Sequence, residues 1–251
     1  MIKIENKLFH GINISNYNET SNLSELYVLK EILKLGKILN RKDLYTEKQE
    51  IIPHLNHEYY QADNEICLAF HPNNKEYELL TDPIEDAFYD FIMNHISIIL
   101  SEQLTINNFY KVAGIPREIR VEKSIVLPKY IEAIGYCDKV TKIITTINGL
   151  ISEENYEQLK KLILNNYYHE FFLVKDAKKY VESEYQKYNQ IREILQNTGY
   201  NIPIVDPLTG LEHNSIEENI DKVEITLNKI KKIRGERRWM IQSQPFLQHK
   251  E

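Results

Sequence analysis

The sequence predicts an α+β protein, with a sheet in its first part and helices in its last part. Short apolar or alternating segments bounded by polar stretches, which are typical of strands, occur before residue 140. Apolar residues at helical spacing dominate after it. We therefore expect a mixed domain at residues 1–140 and a mainly helical C-terminal subdomain at residues 141–251. No flexible run marks the boundary.

The composition is that of a soluble globular protein. Of the 251 residues, 42% are hydrophobic and 27% are charged, which excludes a disordered chain. The formal net charge of −6 argues against electrostatic capture of nucleic acid by the whole surface, but a local basic patch stays open. Cys67 and Cys137 lie far apart in apolar runs and are expected to be buried thiols in a reducing compartment.

No segment predicts membrane insertion. The longest apolar runs are too short for a span, and the N-terminus lacks the core of a signal peptide. We therefore expect a cytoplasmic protein without a membrane partner; delivery to a target cell without a cleaved signal also fits. The oligomeric state is not determined by the sequence.

Capping residues and the spacing of apolar residues predict the first secondary-structure elements. Met1–Ile4 and Lys7–His10 are expected to form an opening strand pair or one interrupted strand, and residues 13–22 are expected to form a polar loop. Ser21 or Ser24 caps a helix whose leucines and isoleucines recur at helical spacing and which ends at Gly36.

The middle of the chain contains three predicted elements. Ile66–Phe70 is an apolar run bounded by turn residues, as in a buried strand. Pro83 begins a helix whose apolar stripe continues to Leu100, and His95 beside that stripe is expected to be a satisfied core residue. Residues 118–122 alternate between polar and apolar, as in a strand with one buried face.

The polar face of that last strand allows two interpretations. Glu118 and Glu122 share it, with Arg120 between them. It is either a solvated face or a place where a carboxylate meets a ligand.

The C-terminal part is predicted to be helical. Ser152 is expected to cap a helix over residues 156–163, and a second helix ends at Gly199. Residues 201–207 are extended, and a capping box at Ser215–Glu218 opens a last helix. The basic end of that helix either complements the helix dipole or contacts a target.

No metal site is predicted. His54 and His57 have the spacing of metal ligands, but no Cys or third His lies near them in the sequence. The surrounding polar segment, residues 40–64, is of the kind that lines or covers a site.

Three short stretches resemble the ADP-ribosyltransferase fold. Residues 114–134 resemble its last conserved strand, where a Glu opens an apolar alternation that runs into a Pro-x-Tyr-Ile segment. Leu8–Gly11 resembles its first-strand His-Gly, and Glu65–Pro72 resembles its middle strand. The resemblance covers about residues 5–140, is strongest to DNA-targeting ADP-ribosyltransferase toxins, and implies a split β-sheet core.

The resemblance also implies an activity and a site. NAD would be the substrate, with Glu118 as the catalytic carboxylate. His10 would bind the adenosine ribose, and Gly11 would let the backbone approach the dinucleotide. Tyr59, Tyr60 and Phe70 are the candidates for stacking on the nicotinamide. His10 and Glu118 would then meet across one cleft.

The sequence departs from the family at two places. The middle strand offers Cys67, Leu68 and Ala69 where a hydroxyl or aromatic residue is usual, and Pro116 replaces part of the acidic or amide pair of arginine-specific enzymes. The acceptor is therefore expected to be another protein side chain or a nucleic-acid base. An RNA phosphotransferase of the same fold is a related possibility.

Two further interpretations stay open. One is a non-catalytic binding or immunity-type module of the same fold, which grips a protein partner through its helical C-terminal half. The other is an unrelated α+β protein.

Overall fold

A computed structural model describes residues 1–12, 24–47, 64–73, 88, 92–93, 95–102, 104, 110–111, 117–121, 124–164, 177–213 and 216–237. Within them, the strands are β1 (Leu8–Gly11), β2 (Lys37–Ile38), β3 (Ile66–Phe70), β4 (Ser97–Leu100), β5 (Tyr110–Lys111), β6 (Glu118–Val121), β7 (Ile125–Val126), β8 (Ile131–Gly135) and β9 (Ile204–Val205). The helices are α1 (Glu25–Leu35), α2 (Arg41–Glu47), α3 (Leu127–Tyr130), α4 (Lys139–Ser152), α5 (Tyr156–Leu164), α6 (Ala177–Thr198) and α7 (Ile216–Arg237). This confirms the α+β class.

The described strands form a seven-stranded mixed sheet and a small two-stranded one. The order in the larger sheet is β5-β6-β3-β1-β4-β8-β9, and β2 pairs with β7 in the smaller. Neighbours in the larger sheet are antiparallel, except that β8 and β9 run parallel.

The chain divides into two units, and the first contains the large sheet. It comprises Met1–Cys137 and Lys187–His213, and the second comprises Asp138–Gln186 and Asn214–Glu251. We expected two successive parts that meet near residue 140. The structure instead returns residues 187–213 to the first unit.

Both faces of the large sheet carry apolar clusters. On one face, Leu8, Leu68 and Ile119 pack with residues of α1 and with Ile191 and Leu195 of α6. On the other face, Phe9, Ala69 and Ile99 pack with Phe88 and Ile92. Each cluster is one alternating set of the same strands, as the period of two requires.

Helix α1 begins and ends where the sequence predicts. The Ser24 hydroxyl accepts a hydrogen bond from the Tyr27 amide, which caps the helix. Gly36 has a left-handed φ of 68°, and its amide bonds Ile32 and Leu33.

The predicted helix from Pro83 to Leu100 is wrong at its C-terminal end. Pro83 lies outside the described residues, and the Met93 amide donates to the Phe88 carbonyl at 3.1 Å. Ser97–Leu100, however, is strand β4, paired with β1 and β8. All four residues of β4 are buried. A strand covered on both faces has a continuous apolar run, which periodicity cannot distinguish from a buried helix.

The second unit is a packed set of helices. Its core consists of residues from α4, α5, α6 and α7, namely Val140, Ile143, Ile144, Ile147, Leu159, Val181, Val223 and Ile230. Buried Thr226 of α7 accepts a hydrogen bond from the Asn148 amide of α4 at 3.3 Å.

The predicted cap of α5 is also wrong. Ser152 is the last residue of α4, and its hydroxyl donates to the Gly149 carbonyl. The side chain of Asn155 accepts from the Gln158 amide and so caps α5. The helix that ends at Gly199 is confirmed as α6, whereas Ser215 lies outside the described residues.

Among the described helices, none combines the length and the apolar character that a membrane span requires.

Candidate functional site

A residue with a strained backbone lies directly before Glu118, the first residue of strand β6. Arg117 has a φ of 60°, which is uncommon for a residue with a side chain. Its carbonyl accepts a hydrogen bond from the Phe70 amide at 3.1 Å, which ties the start of β6 to the end of β3. This bond fixes the point at which Glu118 enters the sheet.

Glu118 belongs to a polar cluster on β3 and β6. Ala69 faces Glu118 and Cys67 faces Arg120, so these side chains share one face of the sheet. Arg120 Nε donates to Glu118 Oε1 at 2.8 Å, and Arg120 Nη1 lies 3.7 Å from Glu65 Oε2. We call Glu65, Cys67, Glu118 and Arg120 the carboxylate cluster.

The carboxylate cluster is not a solvated strand face. Glu118 is only 6% exposed, and the side chain of Arg120 is 17% exposed. The alternation predicted the correct strand and face, and on this face Glu118 is buried and Arg120 is half-buried, whereas Cys67 of β3 is exposed. An ion pair with little access to water has a well-defined geometry, because few water molecules compete for its hydrogen bonds.

The thiol of Cys67 lies beside Glu118 within the cluster. Desolvation and then the negative charge of Glu118 raise the pKa of Cys67 to about 12. The expectation of a buried thiol is wrong for Cys67, which is exposed; Cys137 is half-buried, and neither cysteine is in a disulfide. At neutral pH the Cys67 thiol is protonated and therefore a poor nucleophile.

His10 directly follows Phe9, where the pairing of β1 with β3 ends. The register joins Leu8 to Phe70 and Phe9 to Ala69 and goes no further, although β3 extends to Ile66. His10 Nδ1 lies 3.1 Å from the Cys67 carbonyl oxygen and donates to it. Desolvation lowers the pKa of His10, so its imidazole is neutral at pH 7.

The register puts His10 and Glu118 on opposite faces of the sheet. Phe9 faces Ala69, and Ala69 faces Glu118, so these three share a face and His10 points to the other. β3 lies between β1 and β6, which makes the Cα separation of His10 and Glu118 about 10 Å. The expected meeting of both side chains in one cleft is therefore wrong. A one-residue difference in register decides the face, and no single strand pattern predicts it.

The predicted nicotinamide contacts are not supported by the described geometry. Phe70 is 1% exposed and packs in the apolar core, so its ring has no free face for a ligand. Tyr59 and Tyr60 lie outside the described residues, as do His54 and His57. Gly11 ends β1, opposite Ser97.

His71 was not identified from the sequence as a site residue. The Asn73 amide donates to its Nδ1, so Nε2 carries the proton and donates to the Leu208 carbonyl at 3.0 Å. Its ring also makes an edge contact with Phe88. These contacts satisfy both ring nitrogens and indicate a structural role.

Sequence reasoning also missed Glu65 as a partner of Arg120. Only the pairing of β3 with β6 brings these two distant segments together, and no local sequence pattern indicates that pairing.

In the part of the chain that the structure describes, no group of three His, Cys, Asp or Glu side chains is arranged to hold a metal ion.

Comparisons with known proteins add no assignment. No protein-family model, curated protein or solved structure matches the chain.

Proposed function

We propose that the protein transfers the ADP-ribosyl group of NAD to a macromolecular acceptor, a protein or a nucleic acid, with Glu118 as the catalytic carboxylate. One observation carries this proposal. The three stretches that resemble the motif strands of ADP-ribosyltransferases are β1, β3 and β6, and these strands are consecutive neighbours in the sheet. Segments far apart in sequence are thus adjacent in one sheet.

Glu118 has the chemistry that this reaction needs. Cleavage of the bond between nicotinamide and ribose develops positive charge on the sugar, and a fixed carboxylate stabilises that charge. The carboxylate also accepts a hydrogen bond from a ribose hydroxyl and helps to remove the proton of the acceptor. The bond to nicotinamide breaks, the acceptor bonds to the same carbon, and nicotinamide leaves with the electron pair.

The proposal does not need His10 to share a face with Glu118. The pairing of β1 with β3 ends at Phe9 and Ala69, and His10 and Gly11 are the next two residues of β1. Glu118 is therefore the residue on which the activity depends.

A second candidate is a non-catalytic binding module. Two observations favour it: Arg120 holds Glu118 Oε1 in an ion pair, and His10 lies on the opposite face. Such a module would bind a protein partner without turning over NAD.

An assay of nicotinamide release separates the two candidates. The full chain is incubated with cell lysate and with NAD labelled either in the nicotinamide, to measure free nicotinamide, or in the adenosine, to measure label on macromolecules. We expect Glu118→Gln to lower the rate about 100-fold or more. Unchanged release in this variant would refute the role of Glu118.

Glu31→Gln is the matched control. Glu31 is 7% exposed and accepts from Lys34 at 2.8 Å, so it resembles Glu118 in burial and pairing but lies on α1. Its rate should stay within about twofold of the wild type. No release from the wild type, together with no loss of partner binding in Glu118→Gln, would support the binding module.

A further inference from the structure

Arg120 is placed between two carboxylates. Its Nε bonds Glu118 at 2.8 Å, and its Nη1 lies 3.7 Å from Glu65. The two contacts use different atoms of one planar guanidinium, so a small rotation strengthens one contact and weakens the other. Both carboxylates therefore lie near the same cation.

The shorter contact occupies Oε1 of the carboxylate that the proposed reaction uses. Glu118 is buried, and a ribose hydroxyl can take the place of the guanidinium at Oε1 only if Arg120 withdraws. Glu65 is the carboxylate toward which Arg120 can withdraw without losing a charged partner. This exchange avoids a buried cation without a counter-charge, which would be costly.

We propose that Glu65 is a positioning residue: it draws Arg120 away from Glu118 and so sets how much of the Glu118 carboxylate is free to meet a substrate hydroxyl. This inference rests on the proposed function for its effect on turnover. The competition between Glu65 and Glu118 for Arg120 does not depend on it and is tested separately.

Cys67 provides a readout that needs no NAD. Its thiol lies beside Glu118, and both carboxylates raise its pKa whereas Arg120 lowers it. Alkylation by iodoacetamide follows the thiolate fraction, so its pH profile reports the charge around the thiol. Peptide mass spectrometry measures Cys67, with half-buried Cys137 as the internal control.

The experiment is a double-mutant cycle of Glu65→Gln and Arg120→Gln. In the presence of Arg120, Glu65→Gln removes one negative charge and also lets Arg120 neutralise Glu118 more fully, and both effects lower the thiol pKa. In the Arg120→Gln background only the first effect remains. We expect Glu65→Gln to raise the alkylation rate below the pKa about threefold more when Arg120 is present. Equal increases in both backgrounds would overturn the competition.

The effect on turnover is measured in the same variants. Glu65→Gln should lower kcat for nicotinamide release about tenfold with KM for NAD within twofold, because Arg120 then stays on Glu118. In the Arg120→Gln background, Glu65→Gln should have no effect. An active wild type whose kcat is insensitive to Glu65→Gln would overturn the positioning role.

Two controls keep the outcomes separate. If Arg120→Gln does not fold, Arg120→Lys replaces it, because the ammonium keeps the charge but lacks the fork that contacts two carboxylates. A wild type that releases no nicotinamide contradicts the proposed function, and the thiol cycle still decides whether Glu65 and Glu118 compete for Arg120.

Discussion

Arg120 and Glu118 form a mostly buried ion pair within one strand, with Nε and Oε1 2.8 Å apart. Residues two positions apart share a face of a strand, so the guanidinium lies along β6 above the carboxylate. This ion pair therefore affects both the charge at the candidate site and the stability of the sheet.

Removing the Arg120 guanidinium should lower the free energy of unfolding. Arg120→Met leaves a buried carboxylate without this partner, and we expect the free energy of unfolding to fall by about 3 kcal/mol. Urea denaturation measures the loss. As a control, Lys34→Met removes the partner of Glu31, but Lys34 is 52% exposed, so the loss should stay below about 1 kcal/mol. A loss below about 1 kcal/mol for Arg120→Met would show that the pair adds little to stability.

His71 makes stability depend on pH. Desolvation lowers its pKa below the ordinary 6.5, so the unfolded chain binds a proton that the folded chain resists. Unfolding free energy should therefore decrease as the pH falls through 6.5, and His71→Gln should reduce this slope. Urea denaturation between pH 7.5 and 5.5 tests it. The same slope in His71→Gln would exclude His71 as its source.

Glu25 should affect the pH dependence of stability at a lower pH than His71 does. His95 and Lys187 pair with it at 2.6 and 3.2 Å and hold its pKa below 4.5, although desolvation opposes them. Its contribution to stability is present above pH 4.5 and is lost as the pH falls through the folded pKa. Glu25→Gln should therefore remove pH dependence only below pH 4.5, measured by thermal unfolding; an altered slope at pH 6 would contradict this assignment.

Three glycines should respond differently to alanine. In Gly210→Ala the new Cβ would lie 2.1 Å from the Ile2 carbonyl oxygen, at a φ of +68°, so a loss of at least about 2 kcal/mol is expected. Gly199 has a φ of +79° but open space, which predicts a loss of about 1 kcal/mol. Gly149 lies in α4 with open space, and its replacement should gain up to about 1 kcal/mol. Thermal unfolding gives the order, and a reversed order of Gly199 and Gly210 would contradict the geometry.

The corrected cap of α5 is testable in the same way. Asn155→Ala should cost about 1 kcal/mol, because its side chain satisfies the Gln158 amide. Ser152→Ala should change the unfolding free energy by less than about 0.5 kcal/mol, since the Ser152 hydroxyl is exposed and bonds only within α4. Equal losses of unfolding free energy in both variants would support Ser152 as the cap of α5, as the sequence predicted.

The sequence alone determined the local elements. Ser24 and Gly36 set the ends of α1, the alternation at Glu118–Val121 set β6, and the apolar run at Ile66–Phe70 set β3. Each of these depends on contacts within a few residues, which caps and periodicity express directly. The resemblance also directed attention to Glu118.

Tertiary structure decided the rest. The identity of β4 depended on its two neighbouring strands, since burial on both faces erases the period of two. The site depended on register: Ala69 opposite Glu118 and Cys67 opposite Arg120 bring Glu65 to Arg120 and put His10 on the other face. Pairing between distant segments is a property of the whole sheet, because a shift of one residue exchanges its two faces.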